Sequence, residues 1–186
     1  MNSTYIQLQR EAQDTMQESR RRKRTVADFL DRMAVRCNRE HGFPSDHIWF
    51  EEPIIIPPDA DAREIQIEKD KPKNRGPRAV MVIRRDPYDG SQKINMGFRI
   101  TTDTDSVEAS LPLTVRVEES TLHITLPKPS KTEVKIQTDD LSERVKQQEV
   151  QLLDGVLREL HNIMPKFLTG ATKESIGFHQ TSGESL

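Results

Sequence analysis

The side chains most able to do covalent chemistry are few: the chain of 186 residues has one cysteine and five histidines. A thiol nucleophile must ionise within hydrogen-bond reach of a base. Cys37 instead shares an apolar stripe with Val26, Phe29, Leu30 and Met33, a pattern that predicts a buried, inert thiol. The histidines His41, His47, His123, His161 and His179 form no HExxH or Cys-His spacing. His41 and His47, with Asp46, Glu51 and Glu52 nearby, are the one cluster that could supply an acid–base pair or a metal site, against the commoner fate of solvated loop charge. Asp103, Asp105 and Glu108 lack the glycine and the distant glutamate of a calcium loop, and a turn is expected there. Gly76, Gly90 and Gly97 are isolated, so no glycine-rich loop cradles a phosphate. No cofactor and no metal are expected, and no set of residues passes a spacing test for catalysis.

Charge offers a second kind of chemistry. Arg20, Arg21, Arg22, Lys23 and Arg24 form an unbroken basic run, and Lys69, Lys71, Lys73, Arg75 and Arg78 crowd a proline-bearing loop. If the two shared a face, Arg20 to Arg24 with Lys71, Lys73, Arg75 and Arg78 would be candidate phosphate contacts. The formal net charge is −2, so the chain as a whole is not built as a polyanion binder, and solvated surface is the competing reading. Sequence-tolerant single-strand binding also uses stacking aromatics. None falls on the polar face predicted from Lys93, Asn95, Arg99, Glu108, Ser110, Thr114, Arg116, Thr121, His123 and Thr125.

These groups must be positioned by elements that the hydropathy pattern reveals. Ile94, Met96, Phe98 and Ile100 alternate with polar residues, as do Val107, Ala109, Leu111, Leu113, Val115 and Val117, and then Leu122, Ile124 and Leu126. That period belongs to strands buried on one face. Ala79 to Ile83 is apolar throughout and predicts a covered strand, joined to the Ile94 strand by Asp-Pro and Asp-Gly turn chemistry in Asp86 to Gly90. Ile48 to Ile56 carries Pro53 and is at best an edge strand, Glu64 to Lys69 alternates briefly, Pro112 is expected to bend or bulge its strand, and Val134 with Ile136 suggests a last short one. A first helix is expected from a Thr25 cap to about His41, stopped by Gly42. A second is expected after Asp139 or Asp140, stopped or kinked by Pro165 near its end.

The second helix carries two stripes. Leu141, Val145, Leu152, Val156 and Ile163 follow one face, while Val150, Leu153, Leu157, Leu160, Met164 and Phe167 form a heptad-like seam. Gly155 between them either lets a neighbour approach closely or marks a weak point. One stripe suffices to cover a sheet, so the seam predicts an interface with a second copy or a partner helix.

The sequence therefore predicts an α+β fold. An antiparallel β-meander of five to seven strands is covered on one face by an N-terminal helix and a long C-terminal helix. Residues 1–24 read as a flexible basic arm, 25–168 as one domain and 169–186 as a disordered tail. With 33% hydrophobic residues, no spanning segment and no secretory signal, a cytoplasmic protein without membrane contact is expected. The order of helix, meander and helix is similar to that of ubiquitin-conjugating folds, but the only cysteine lies in the first helix, and no family is assigned. The expected function is interaction or assembly through the second helix, as a homo-oligomer or with another protein. The alternatives are nucleic-acid association through the basic segments and, second, an enzyme with a site near His41, His47 and Glu51.

Overall fold

The computed structural model describes residues 3–53, 61, 63, 75, 76, 81, 83–86, 88–101, 103, 106–126, 133–138, 142–168 and 179–181. The first helix, α1 (Ser3–His41), has 39 residues and a length of about 58 Å at 1.5 Å per residue. It starts far ahead of Thr25, so the expected flexible arm is helical here. The Thr25 hydroxyl donates to the Arg21 carbonyl inside the helix instead of capping its start. No proline or glycine interrupts 3–41, and the Arg/Lys run is made of good helix formers. The end falls where the glycine put it. Gly42 has φ +73° and its N–H donates to the Asn38 carbonyl at 3.0 Å, while Asn38 Nδ2 donates to the Phe43 carbonyl at 2.7 Å.

The sheet is antiparallel, with β1 (Ile48–Glu51), β2 (Gln92–Thr101), β3 (Ser106–Glu118), β4 (Thr121–Thr125) and β5 (Glu133–Gln137) in sequential order, and a short β6 (His179–Thr181) pairing with β3. The alternation fixes which side faces the core. Ile94, Met96, Phe98, Leu111, Val115, Leu122, Ile124 and Ile136 are buried under α1 and α2 (Glu143–Leu168). Val26, Phe29, Leu30, Met33 and Cys37 of α1, and Val145, Leu152, Leu153, Val156 and Leu160 of α2, close this layer.

Three local expectations need correction. The Ile94 strand does not pair with Ala79–Ile83. Its partner is β1, in register Ile48↔Phe98, Trp49↔Gly97, Phe50↔Met96 and Glu51↔Asn95. Met81 and Ile83 are not in a strand, and residues 79, 80 and 82 lie outside the described residues, as does the Glu64 to Lys69 segment. The Asp86 to Gly90 turn forms nonetheless, with Gly90 N–H donating to the Asp86 carbonyl at 2.9 Å. Pro112 makes no bulge, since β2 and β3 pair continuously from Gln92↔Val115 to Thr101↔Ser106. On its other side β3 meets β6 at Ser106–Glu108 and β4 at Thr114–Glu118, so Pro112 sits between the two and its missing N–H interrupts neither ladder. The helix α2 continues past Pro165 to Leu168. The caps proposed at Asp139 and Asp140 lie outside the described residues. Of the stretch 169–186, His179–Thr181 is described, as β6.

Candidate functional site

The middle of the α2 seam, Leu153 and Leu160, lies inside the core. Leu153 is 0% and Leu160 4% exposed, and Leu157 packs half-buried against the same cluster. Val150 is half-buried at the margin, and the side chains of Met164 and Phe167 lie outside the described residues. The described residues of both stripes are covered because α2 has two neighbours, the sheet at β3 and β5 and the helix α1. The contact between helices is sealed by an ion pair. Glu149, buried on α2, accepts from Arg32 Nε at 3.0 Å and from Arg36 Nε at 2.7 Å. Burial works against the Arg36 charge, but the Glu149 and Glu40 carboxylates outweigh it and raise its pKa. A shallow groove of about 450 Å³ opens beside this pair, lined by Arg36, Arg39, Glu40, Glu143 and Lys146 among others. Its charges are already matched within the chain: Arg36 and Arg39 to Glu40, and Lys146 to Glu143.

The histidine cluster does not assemble. His41, at the end of α1, faces Asp154 of α2 at 3.6 Å on the helical side of the sheet. Glu51 points from β1 to the opposite face, where Arg75 holds it at 3.3 Å. A sheet thus separates two members of the supposed acid–base site. Among the described residues no three His, Cys, Asp or Glu side chains converge as a metal site would require. Burial pushes the Cys37 thiol up to about 12, which keeps it protonated and unreactive.

The outer face of the sheet holds a residue that the sequence reading left out of it: Trp49. Reading the polar face from residues 93–125 alone omitted β1, whose place beside β2 turns Trp49 outward. Its indole lies across Gly97, where a Cβ would sit 2.5 Å from Cζ2 and nearer still to Cε2 and Nε1. The Arg75 guanidinium covers the ring at 4.4 Å from the centroid and pairs with Glu51 and Glu108, and Glu108 also binds Arg99 at 2.7 Å. Trp49 is 6% exposed with one ring face occupied, so it offers no stacking platform. Its Nε1–H is buried without an acceptor among the described residues, a cost that the ring's packing must exceed.

The basic segments separate in the same way. Arg75 is committed to Trp49, Glu51 and Glu108, while Lys71, Lys73 and Arg78 lie outside the described residues. The run on α1 meets a different part of the chain: Lys23 Nζ donates to the Met81 carbonyl at 2.7 Å, and Arg85 lies within electrostatic reach of Arg22 and Glu18. Arg21 and Arg22 bind Glu18. Ahead of that collar, α1 runs exposed from residue 4 to residue 17. No helix among the described residues is long and apolar enough to cross a membrane. Compared with protein-family models, curated proteins and solved structures, the chain matches none of them.

Proposed function

We propose that the protein is a non-enzymatic interaction or assembly module that docks a partner, a second copy in the first instance, through its helical surface. The docking element is the N-terminal half of α1, and the margin of α2 at Val150 is secondary. One observation carries the reading: Tyr5 (68% exposed), Leu8 (59%) and Met16 (58%) are large apolar groups on a helical segment, 4–17, that no described residue covers. Tyr5, Leu8, Ala12 and Met16 recur at spacings of three and four, and the same face continues through Ser19 and Lys23 into buried Val26. A helix of this length without tertiary packing is marginal in water, since isolated helices under roughly 12–15 residues rarely hold. Packing of its apolar face against another helix supplies what is missing.

Sedimentation velocity over a concentration series tests this. The wild type should form a larger species, and Leu8→Glu with Met16→Glu should return it to one chain with unchanged far-UV circular dichroism, because neither position touches the core. Amide exchange in residues 4–17 should slow on association. A wild type that stays monomeric, with those amides exchanging at the rate of the double variant, would remove the self-association reading.

A further inference from the structure

The collar of α1 and the loop before β2 build a second surface with a different chemistry. In the segments 18–24 and 84–89, five consecutive basic residues and the Arg84–Arg85 pair are accompanied by three carboxylates, Glu18, Asp86 and Asp89. Two of these are turned to local work: Asp86 Oδ1 accepts the Tyr88 N–H at 2.8 Å, and Asp89 Oδ1 the Ser91 N–H at 2.8 Å. The loop is fixed to the helix by the bond from Lys23 to Met81 and to the start of β2 by Asp86 N–H donating to the Ser91 carbonyl at 2.8 Å. Like charges are held together there. Burial, and then the neighbouring Arg22, lower the Arg85 pKa, with Glu18 offsetting them only in part. Such an arrangement is relieved by an incoming anion.

Close to Arg85 in the chain stands Tyr88, among the described residues the most exposed large hydrophobic side chain, at 97%. It lies three residues from Arg85, within roughly 11 Å along even a fully extended chain. Hydrogen bonds hold its backbone in a defined turn, so the ring is presented to solvent by a rigid support. Arginine forks match phosphate oxygens, and an exposed ring stacks on an unpaired base.

We infer that Arg84, Arg85 and Tyr88, carried on the loop that packs against α1 at Arg22 and Lys23, form a contact surface for single-stranded nucleic acid, phosphates on the arginines and a base on the Tyr88 ring. A duplex fits less well, because its base faces are stacked away from Tyr88. A lipid headgroup or an acidic peptide would use the arginines and leave the ring idle. The surface is separate from docking through Tyr5, Leu8 and Met16, and either can hold without the other.

Fluorescence anisotropy with a labelled single strand of about 12 nucleotides, long enough for one site, decides the matter. Binding by the full chain should weaken steadily between about 50 and 200 mM salt, each phosphate contact adding about −0.7 to the log–log slope. Arg84→Gln with Arg85→Gln should flatten that slope by about 1.4. Tyr88→Ala should weaken binding on the order of tenfold without changing the slope, and Tyr88→Phe should restore it. Circular dichroism will show these exposed variants folded. Absence of salt-dependent binding overturns the inference. So does full affinity in Tyr88→Ala, or equal affinity for poly-glutamate, which would identify the surface as one for an acidic protein.

Discussion

Replacing Gly97 by alanine tests the outer face of the sheet in a single methyl group. A Cβ there would meet Trp49 Cζ2 at 2.5 Å, with Cε2 and Nε1 nearer still, where ordinary contact begins at 3.4 Å. Strand β2 is held on both sides by β1 and β3, so the indole must move and not the backbone. Moving it by about an ångström overpacks the site at a cost of roughly 1–3 kcal/mol. The displacement also separates the ring from Arg75, a stack worth about 0.5–2 kcal/mol. Together the loss should be about 1.5–5 kcal/mol, within the range of a large single-site effect. Urea unfolding followed by fluorescence reads it directly, because Trp49 is the only tryptophan. Trp49→Ala alone should cost about 3–5 kcal/mol. Gly97→Ala added to Trp49→Ala, read by circular dichroism, should cost almost nothing, because the obstacle is gone. A Gly97→Ala protein within about 0.5 kcal/mol of wild type, the scatter of ordinary surface changes, would refute the argument. An equal penalty with and without the indole would refute it too.

Three further outcomes follow from the same structure. Leu153→Glu with Leu160→Glu removes two buried side chains worth about 2–5 kcal/mol each and adds charge to the core, so the chain should lose its cooperative melt; a smaller, still folded species in sedimentation would instead restore the seam as an interface. Glu119, in the two-residue turn between β3 and β4, is the only described non-glycine residue with positive φ, at +50°; Glu119→Gly should stabilise by about 1 kcal/mol in urea midpoints, and a destabilised variant would contradict the strain. Burial alone would raise the Glu108 pKa, but its bonds to Arg75 and Arg99 outweigh it and hold the carboxyl below its ordinary 4.5. Its stabilisation is therefore fully present above that value and lost as pH falls through the lowered one. Glu108→Gln should thus shrink the loss of stability as the pH falls below the ordinary glutamate value, and an unchanged acid limb would rule out the coupling.

The sheet was legible because its signal is periodic: Phe98, Val115 and Ile124 are all buried, as the alternation requires. The stripe on α1 was legible for the same reason, and Gly42 marked its end correctly. Its start was not, because Thr25 has the composition of a cap and capping is decided by whether the preceding residues can stay helical. Residues 3–24 contain nothing to stop them. The pairing of β1 with β2 was hidden by a different competition. Turn chemistry at Asp86 to Gly90 is local and forms as expected, yet it does not specify which strand comes to lie beside Ile94. That choice belongs to a long-range fit, Trp49 over Gly97, between residues with no periodic relation to each other. The Glu51–Arg75–Glu108–Arg99 network was invisible with it, since it exists only once β1 is in place.

The two stripes of α2 show where such reasoning stops. A second apolar stripe establishes that a helix has two neighbours, and says nothing of whether the second belongs to the same chain. Here the neighbour is α1, which the sequence already contained, and Glu149 meeting Arg32 and Arg36 closes the contact with groups that periodicity does not flag. Only a geometric fact resolves the ambiguity: α1 at about 58 Å outreaches the sheet it covers, so its second half meets α2 while its first half meets solvent. Among the described residues the face left without a neighbour is therefore on α1, at Tyr5, Leu8 and Met16, which is why the proposed docking is placed at the beginning of the first helix and not on the seam of the second.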